Sequence, residues 1–533
     1  MAFFVTAIIN FKVEKADSDF GEKPLLSGNK TGQNFHMTGL NKAYFIACIL
    51  LLLPLLYINV KPYHDWGDDY AQYILQARNI VEQRPQIDNG LVFDKVDGDF
   101  ALHAYPAGFP LIISPVYYFF KLSVKPFLIL ISIFMIGLGL LMFNYFKKYF
   151  SPLISLTLVI FILYNHYLLL LKDSILTDIP FVFFLFLLIQ IVERKNRSVL
   201  FYVVCGLLAS WLTSIRFVGI ASLAALIADI LLHGPDGERK VSFTIFERKR
   251  IKSAAIVVLS AGLFFFLFNT IIFHVEMKYF LGFYSNSFGK ESSGLFINAK
   301  YYYDVLGTAF FFPGNWDTMP SWWVFLALAG WVVNLRKKAG FTEWFFLFYL
   351  LMILLFNRST GGFRFIFPVF PLLIKYTFDI ILLLTRSYKR IYSDSITLSV
   401  IFITMTGYIL PFNRTLEKQN DIPDGPYRPT SQEMLNVVKD KIPENEVVGF
   451  IKAIALSLYT DHPATYLMTG QSPEQVEAMF LRLQVNYLIG TKIKSYDTDI
   501  FDPRLDVYLE KYRNSYNLFW ENDEFFILQR SIK

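Results

Sequence analysis

Thiols, charges and nucleotide-binding loops are scarce in this chain. Only two of its 533 residues are cysteine, Cys48 and Cys205, and both fall inside apolar runs. Neither a disulfide framework nor a thiolate metal site is therefore expected. Charged residues make up 18%, against about a quarter in an ordinary soluble domain. No Walker-type phosphate loop, dinucleotide fingerprint or His-Glu-x-x-His pair occurs, which leaves ATP-driven, NAD-driven and zincin chemistry without a basis. Apolar sequence fills the space instead: 54% of residues are hydrophobic, 18% are aromatic, and the mean hydropathy is +0.41. Such a composition predicts an all-α polytopic membrane domain.

Apolar runs lie near 42–60, 107–122, 125–146, 151–171, 178–192, 198–215, 217–232, 252–274, 320–335, 341–356, 364–385 and 394–412. The net charge of +6 comes from clusters in the short loops between them: Lys147-Lys148, Arg194 to Arg197, Arg239 to Arg250, Arg336 to Lys338 and Arg386 to Arg390. Basic loops of this kind report a cytoplasmic side rather than a nucleic-acid partner. The alternation closes if the N-terminus is inside and the run 107–122, with Pro110 and Pro115, does not cross. About eleven transmembrane helices are then expected. Residues 1–41 read as a cytoplasmic extension without a signal-peptide cleavage site, and 42–412 as the membrane domain. Its large outer loops are 61–124 and 275–319. Residues 413–430 read as a Pro-rich linker. Residues 431–533 alternate helical and strand-like runs, which predicts a small extracytoplasmic α/β domain.

The acids follow the first apolar run, in His64-Asp65-Trp66-Gly67-Asp68-Asp69-Tyr70. Carboxylates at a membrane surface suit general-base work or a divalent cation, and the sequence leaves metal use open. Asp is also a good helix cap, which accounts for one acid better than for three. Asp68 is the leading candidate base, ahead of Asp65 and Asp69. Asp178, in Thr177-Asp178-Ile179-Pro180, has a cap reading of equal weight. Arg216 and Arg364 are lone cations at outer helix ends; each either snorkels to headgroups or clamps a phosphate. Arg358 and the pair Gly361-Gly362 favour the phosphate reading for Arg364. His103 and Tyr105 end the first outer loop. Loop 275–319 is rich in aromatics, which belt a membrane interface or stack on sugars.

In this order the motifs resemble the GT-C superfamily of polytopic glycosyltransferases, in particular bacterial members related to protein O-mannosyltransferases and to aminoarabinose transferases of lipid A. The matching elements are Asp68-Asp69 with the following Tyr-x-x-Tyr-x-x-x-Ala-Arg, Tyr105-Pro-Ala-Gly-Phe-Pro110, Thr177-Asp178-Ile-Pro180, Ile215-Arg216 and Arg364-Phe-x-x-Pro368-x-x-Pro371. Two departures stand out: Asp-Asp where the family usually has Asp-Glu, and Pro-Ala-Gly where it has Pro-Pro-Gly. The resemblance implies an enzyme of the bacterial inner membrane that moves a sugar from a polyprenyl-phosphate donor to an extracytoplasmic lipid, protein or glycan. It implies Asp68, Asp69 and Asp178 as catalytic acids, and Arg364, Arg358, Arg216, His103 and Tyr105 as substrate- and phosphate-binding groups. No organic cofactor is implied. A lipid or solute transporter is the alternative, disfavoured because its charges belong near the midplane in matched halves. A scaffold whose acids only cap helices ranks below both.

Overall fold

The computed structural model describes residues 39–92, 104–194, 197–233, 247–275, 294–310, 319–356, 361–467, 471–495 and 498–531. Residues 44–533 form one compact unit. Among the described residues most are helical, and five short strands lie after residue 446.

Among the described residues, Val124–Phe146 and Arg248–Ile272 are long and apolar enough to cross a bilayer. Two bent pairs qualify if each is taken as one span, and six shorter apolar helices accompany them. The apolar runs are thus more broken than hydropathy suggests. Run 151–171 divides into Pro152–Leu163 and His166–Lys172, bent by 62°. Asn165 causes the break: its side chain caps the second helix by accepting Tyr167 N–H at 3.0 Å, and its amide donates to the Ala309 carbonyl at 2.8 Å. Run 394–412 likewise bends by 43° after Thr406. Run 364–385 begins with a single turn, Phe363–Ile366, and resumes at Phe370–Thr385, since Pro368 and Pro371 cannot donate to a continuous ladder. Gly108–Phe120 has 13 residues with Pro115 inside. At about 1.5 Å per residue it is too short to cross a core of about 30 Å.

The strands are β1 Val447–Gly449, β2 Ala464–Thr465, β3 Val485–Thr491, β4 Tyr516–Glu521 and β5 Phe525–Arg530; β1, β3 and β5 lie on strand-like runs of the sequence, whereas β2 and β4 do not stand out there. Their order in the sheet is β2-β1-β3-β5-β4; β1 pairs parallel with β2 and β3, and β5 antiparallel with β3 and β4. Residues 90–92 add to this sheet. Leu91 bridges Ala464 in parallel, with Ala464 N–H on the Gly90 carbonyl and Val92 N–H on the Ala464 carbonyl, both at 2.8 Å. Helix Ala453–Thr460 packs on helix Asp68–Glu82. Trp66, fully buried, sits edge-on against Phe450 at 5.5 Å and Phe525 at 6.4 Å. Arg78 pairs with Asp461 at 2.6 Å. Trp66, helix Asp68–Glu82 and residues 90–92 are therefore packed directly on the sheet and its helix Ala453–Thr460.

Candidate active site

Asp65, Asp68 and Asp69 have three different surroundings. Asp65 holds the turn that precedes the helix: its Oδ1 accepts Gly67 N–H at 3.0 Å and lies 2.8 Å from His64 Nδ1, while Gly67 is the N-cap and no side chain caps the helix. His64 Nε2 accepts Ile175 N–H at 3.4 Å, so the ring proton is on Nδ1 and faces Asp65. This bond ties the acid loop to the turn that carries Asp178. Asp68 and Asp69 occupy the first helical turn, where the partial positive charge of the helix end favours carboxylates. Consecutive helical positions point about 100° apart, and the two side chains separate accordingly.

Asp68 turns toward the start of helix Ala453–Thr460, where the Lys452 charge and the Ala455 amide face it. Burial pushes its carboxyl up to about 6, with Lys452 and Ala455 pulling the other way. Its Oδ1 is buried and has no hydrogen-bond partner among the described residues.

Asp69 turns toward Tyr105 and Arg364. Its Oδ1 accepts the Tyr105 hydroxyl at 2.8 Å and its Oδ2 accepts Arg364 Nη1 at 3.1 Å. Arg364 Nε donates to Asp178 Oδ2 at 3.2 Å, and Asp178 Oδ1 takes Nη1 of Arg216. Two carboxylates and two guanidiniums, from four separate chain segments, thus alternate in one neutral network. Its inner end is closed, with Asp178 1% and Arg216 9% exposed. Its outer end is open, with Arg364 30% and Asp69 38% exposed. Burial and the Asp69 charge push the Tyr105 phenol well above its ordinary range.

Local sequence explains how each group arrives there. Asp178 opens helix Asp178–Val192, where Pro180 fits the first turn. Arg216 ends helix Val199–Ile215 in an extended conformation, and its guanidinium lies over the Phe365 ring at 5.5 Å. Arg364 sits in the one-turn helix after Gly361 and Gly362, whose φ values are +76° and +52°. Only glycine takes two such positions in succession at little cost. Tyr301 fixes this turn by accepting Gly362 N–H at 3.0 Å, and Tyr167 stacks on Phe363 at 5.1 Å.

Asp69, Asp178, Arg216, Arg364 and Tyr105 are therefore brought together, while Asp68 faces the C-terminal helix. His103 and Arg358 lie outside the described residues, as do Tyr279, Phe283, Tyr284 and Trp316 of the aromatic loop. A row of buried amides behind Asp69, notably Gln72, Gln76 and Asn79, was not anticipated. Their spacing of i, i+4 and i+7 marks one helix face, but it reads equally as a solvated one. Among the described residues no three His, Cys, Asp or Glu side chains gather as a metal site requires. Asp69 and Asp178 are both bonded to Arg364, so a cation would have to displace a guanidinium from each; this donor set does not fit a resident divalent ion.

No protein-family profile and no curated protein matches the sequence significantly. Solved structures do match the fold. ArnT from Cupriavidus metallidurans bound to undecaprenyl phosphate superposes with a TM-score of 0.57 at 12% identity, covering 91% of this chain and 98% of that one. The archaeal oligosaccharyltransferase AglB from Archaeoglobus fulgidus, in complex with an inhibitory peptide and a dolichol-phosphate, gives 0.51 at 12% identity, over 85% of this chain and 69% of that one. The oligosaccharyltransferase of the same organism in its apo form gives 0.52 at 11% identity, over 94% and 75%. These structures share their fold with the chain across nearly its whole length.

Proposed function

We propose that the protein is an integral membrane glycosyltransferase that moves a sugar from a polyprenyl-phosphate donor to an acceptor outside the cytoplasm. The observation that carries this reading is the Asp69–Arg364–Asp178–Arg216 network, neutral overall and open at its Asp69–Arg364 end. Two structures of the same fold hold undecaprenyl phosphate and dolichol-phosphate, which supports a lipid-phosphate-linked donor. The acceptor is a lipid, protein or glycan on the outer side of a bacterial inner membrane.

The base role read from sequence for Asp68 passes in this reading to Asp69, the carboxylate that shares Arg364 with Asp178. The acceptor's oxygen or nitrogen forms a bond to the anomeric carbon as the bond from that carbon to the phosphate oxygen breaks. The acceptor proton passes to Asp69, and the electron pair of the breaking bond leaves on the polyprenyl phosphate, which gains one negative charge. Arg364 meets that charge. Two of its five N–H groups are used on Asp69 and Asp178, leaving three unassigned among the described residues. Donors held in place before charge develops cost no reorganisation during the step. Asp178 and Arg216 hold the guanidinium from behind. A single displacement inverts the anomeric centre.

The test is transfer of labelled sugar from polyprenyl-phosphate donors in membranes, comparing wild type with Asp69→Asn and Asp68→Asn. Transfer abolished in Asp69→Asn and retained in Asp68→Asn is the expected pattern. Full turnover in Asp69→Asn would sink the base assignment. Donors left intact by wild type, with lipid crossing vesicles instead, would favour the transporter.

A further inference from the structure

Helix Asp68–Glu82 is polar on a face that is fully buried. Gln72, Gln76 and Asn79 are each inaccessible to solvent, and a buried amide is costly unless its groups are paired. Gln76 uses its amide on the backbone of one residue. Its Nε2 donates to the Tyr105 carbonyl at 2.9 Å, and its Oε1 accepts Tyr105 N–H at 2.9 Å. A side-chain amide thus does for Tyr105 what an adjacent strand does in a sheet. A primary amide offers a donor and an acceptor side by side in this way without having to bind a proton. Gln86 supports it, donating to the Gln76 carbonyl and accepting from Gln76 Nε2, both at 3.3 Å. Gln72 Nε2 reaches Gln76 Oε1 at 3.4 Å, and Asn89 donates to Gln72 Oε1 at 2.9 Å.

Tyr105 needs such a grip. It precedes Pro106 in a segment without regular structure, ahead of helix Gly108–Phe120, so no ladder of its own fixes it. Its ring packs on Tyr73 at 4.9 Å, and its hydroxyl reaches Asp69 Oδ1 at 2.8 Å. With Oδ1 held by Tyr105, Oδ2 is the oxygen left to Arg364.

We propose that Gln76 is a positioning residue for the transfer reaction: it clamps the Tyr105 backbone and so aims the Tyr105 hydroxyl at Asp69. The proposal rests on the reading of Asp69 as the base. Gln76 touches no reacting atom and acts only through Tyr105.

The experiment places 3-fluorotyrosine at position 105 and records its fluorine resonance in purified wild type, Asp69→Asn and Gln76→Met. Gln76→Met is expected to move the resonance in the direction of Asp69→Asn, since both weaken the charge-assisted bond that the Asp69 carboxylate accepts from Tyr105. An unmoved resonance overturns the proposal. This arm needs no turnover, so it reads positioning even where transfer fails for another reason. In the transfer assay, Gln76→Met should lower kcat about 10- to 100-fold with little change in donor KM. In a Tyr105→Phe background it should have no further effect on kcat; losses that add overturn the proposal. Where Gln76→Met fails to fold, Gln86→Met loosens the same clamp without touching Tyr105, with the same directions expected.

Discussion

Asp69 and Arg364 lie 295 positions apart in the chain and meet at 3.1 Å, with Arg364 donating through Nη1 while its Nε holds Asp178 at 3.2 Å. One planar guanidinium thus joins a carboxylate in the first turn of helix Asp68–Glu82 to a carboxylate at the start of helix Asp178–Val192. The pair nearest the surface is half-exposed, and the pair behind it is buried. Charge is held in place at the outer end by groups that water scarcely reaches at the inner one. Breaking a buried pair by removing one partner costs about 3–5 kcal/mol, so the inner pair is a rigid anchor for the outer one.

Arg364→Lys keeps the charge and loses the fork. An ammonium is a point donor on a flexible stem and does not span Asp69 and Asp178 together. Transfer should fall about 100-fold or more, by analogy with the loss of one preorganised donor at a developing anion. The protein should still fold, because Arg216 continues to neutralise Asp178. Membrane transfer assays at matched expression check this, and activity within about threefold of wild type would remove Arg364 from the mechanism.

Gly361 and Gly362 both have positive φ, yet they differ in what a side chain would meet. A Cβ at Gly361 comes within 2.6 Å of the Phe365 ring, whereas at Gly362 its nearest neighbour is the Tyr301 hydroxyl at 4.0 Å. Alanine at either position carries backbone strain, about 1–3 kcal/mol at Gly362, whose φ of +52° and ψ of −136° lie outside the left-handed helical well. Only Gly361→Ala also pushes on the turn that carries Arg364. Gly361→Ala should therefore lose about tenfold more transfer activity than Gly362→Ala; equal losses in the two would show that the Phe365 clash is relieved without moving Arg364.

Asp68 gives a pH signature distinct from that of the network. Burial raises its folded-state pKa from the ordinary 3.8 to about 6. The folded protein therefore binds this proton more tightly than the unfolded chain does. The resulting stability is present in full below about pH 4 and is lost as pH rises through about 6. Asp68→Asn, which keeps the shape and carries no charge, should gain stability relative to wild type across that window. Melting temperatures of the two proteins from pH 4 to pH 7 in one detergent test this. A constant offset between them would mean that Asp68 titrates as an exposed acid.

The outer cluster was legible in the sequence as a set. Asp178, Arg216, Arg364 and the Asp68–Asp69 pair all stand at ends of apolar runs, and charge alternation puts those ends on one side. The break in run 151–171 was not legible, because hydropathy averages over the single Asn165 that caps a new helix. Gln76 was hidden for a related reason: an amide row reads as a wet face until the packing partner is known.

Composition and the period of the apolar runs determined by themselves the membrane class and three strands of the C-terminal sheet, β1, β3 and β5. These are sums over many residues, and local chemistry suffices for them. Tertiary structure alone decided which acid joins the arginines. Asp68 and Asp69 are identical side chains at adjacent positions, and their difference is a rotation of about 100° about one helix axis. The packing of that helix between the Arg364 turn and helix Ala453–Thr460 sets the rotation, and those two contacts come from residues hundreds of positions away.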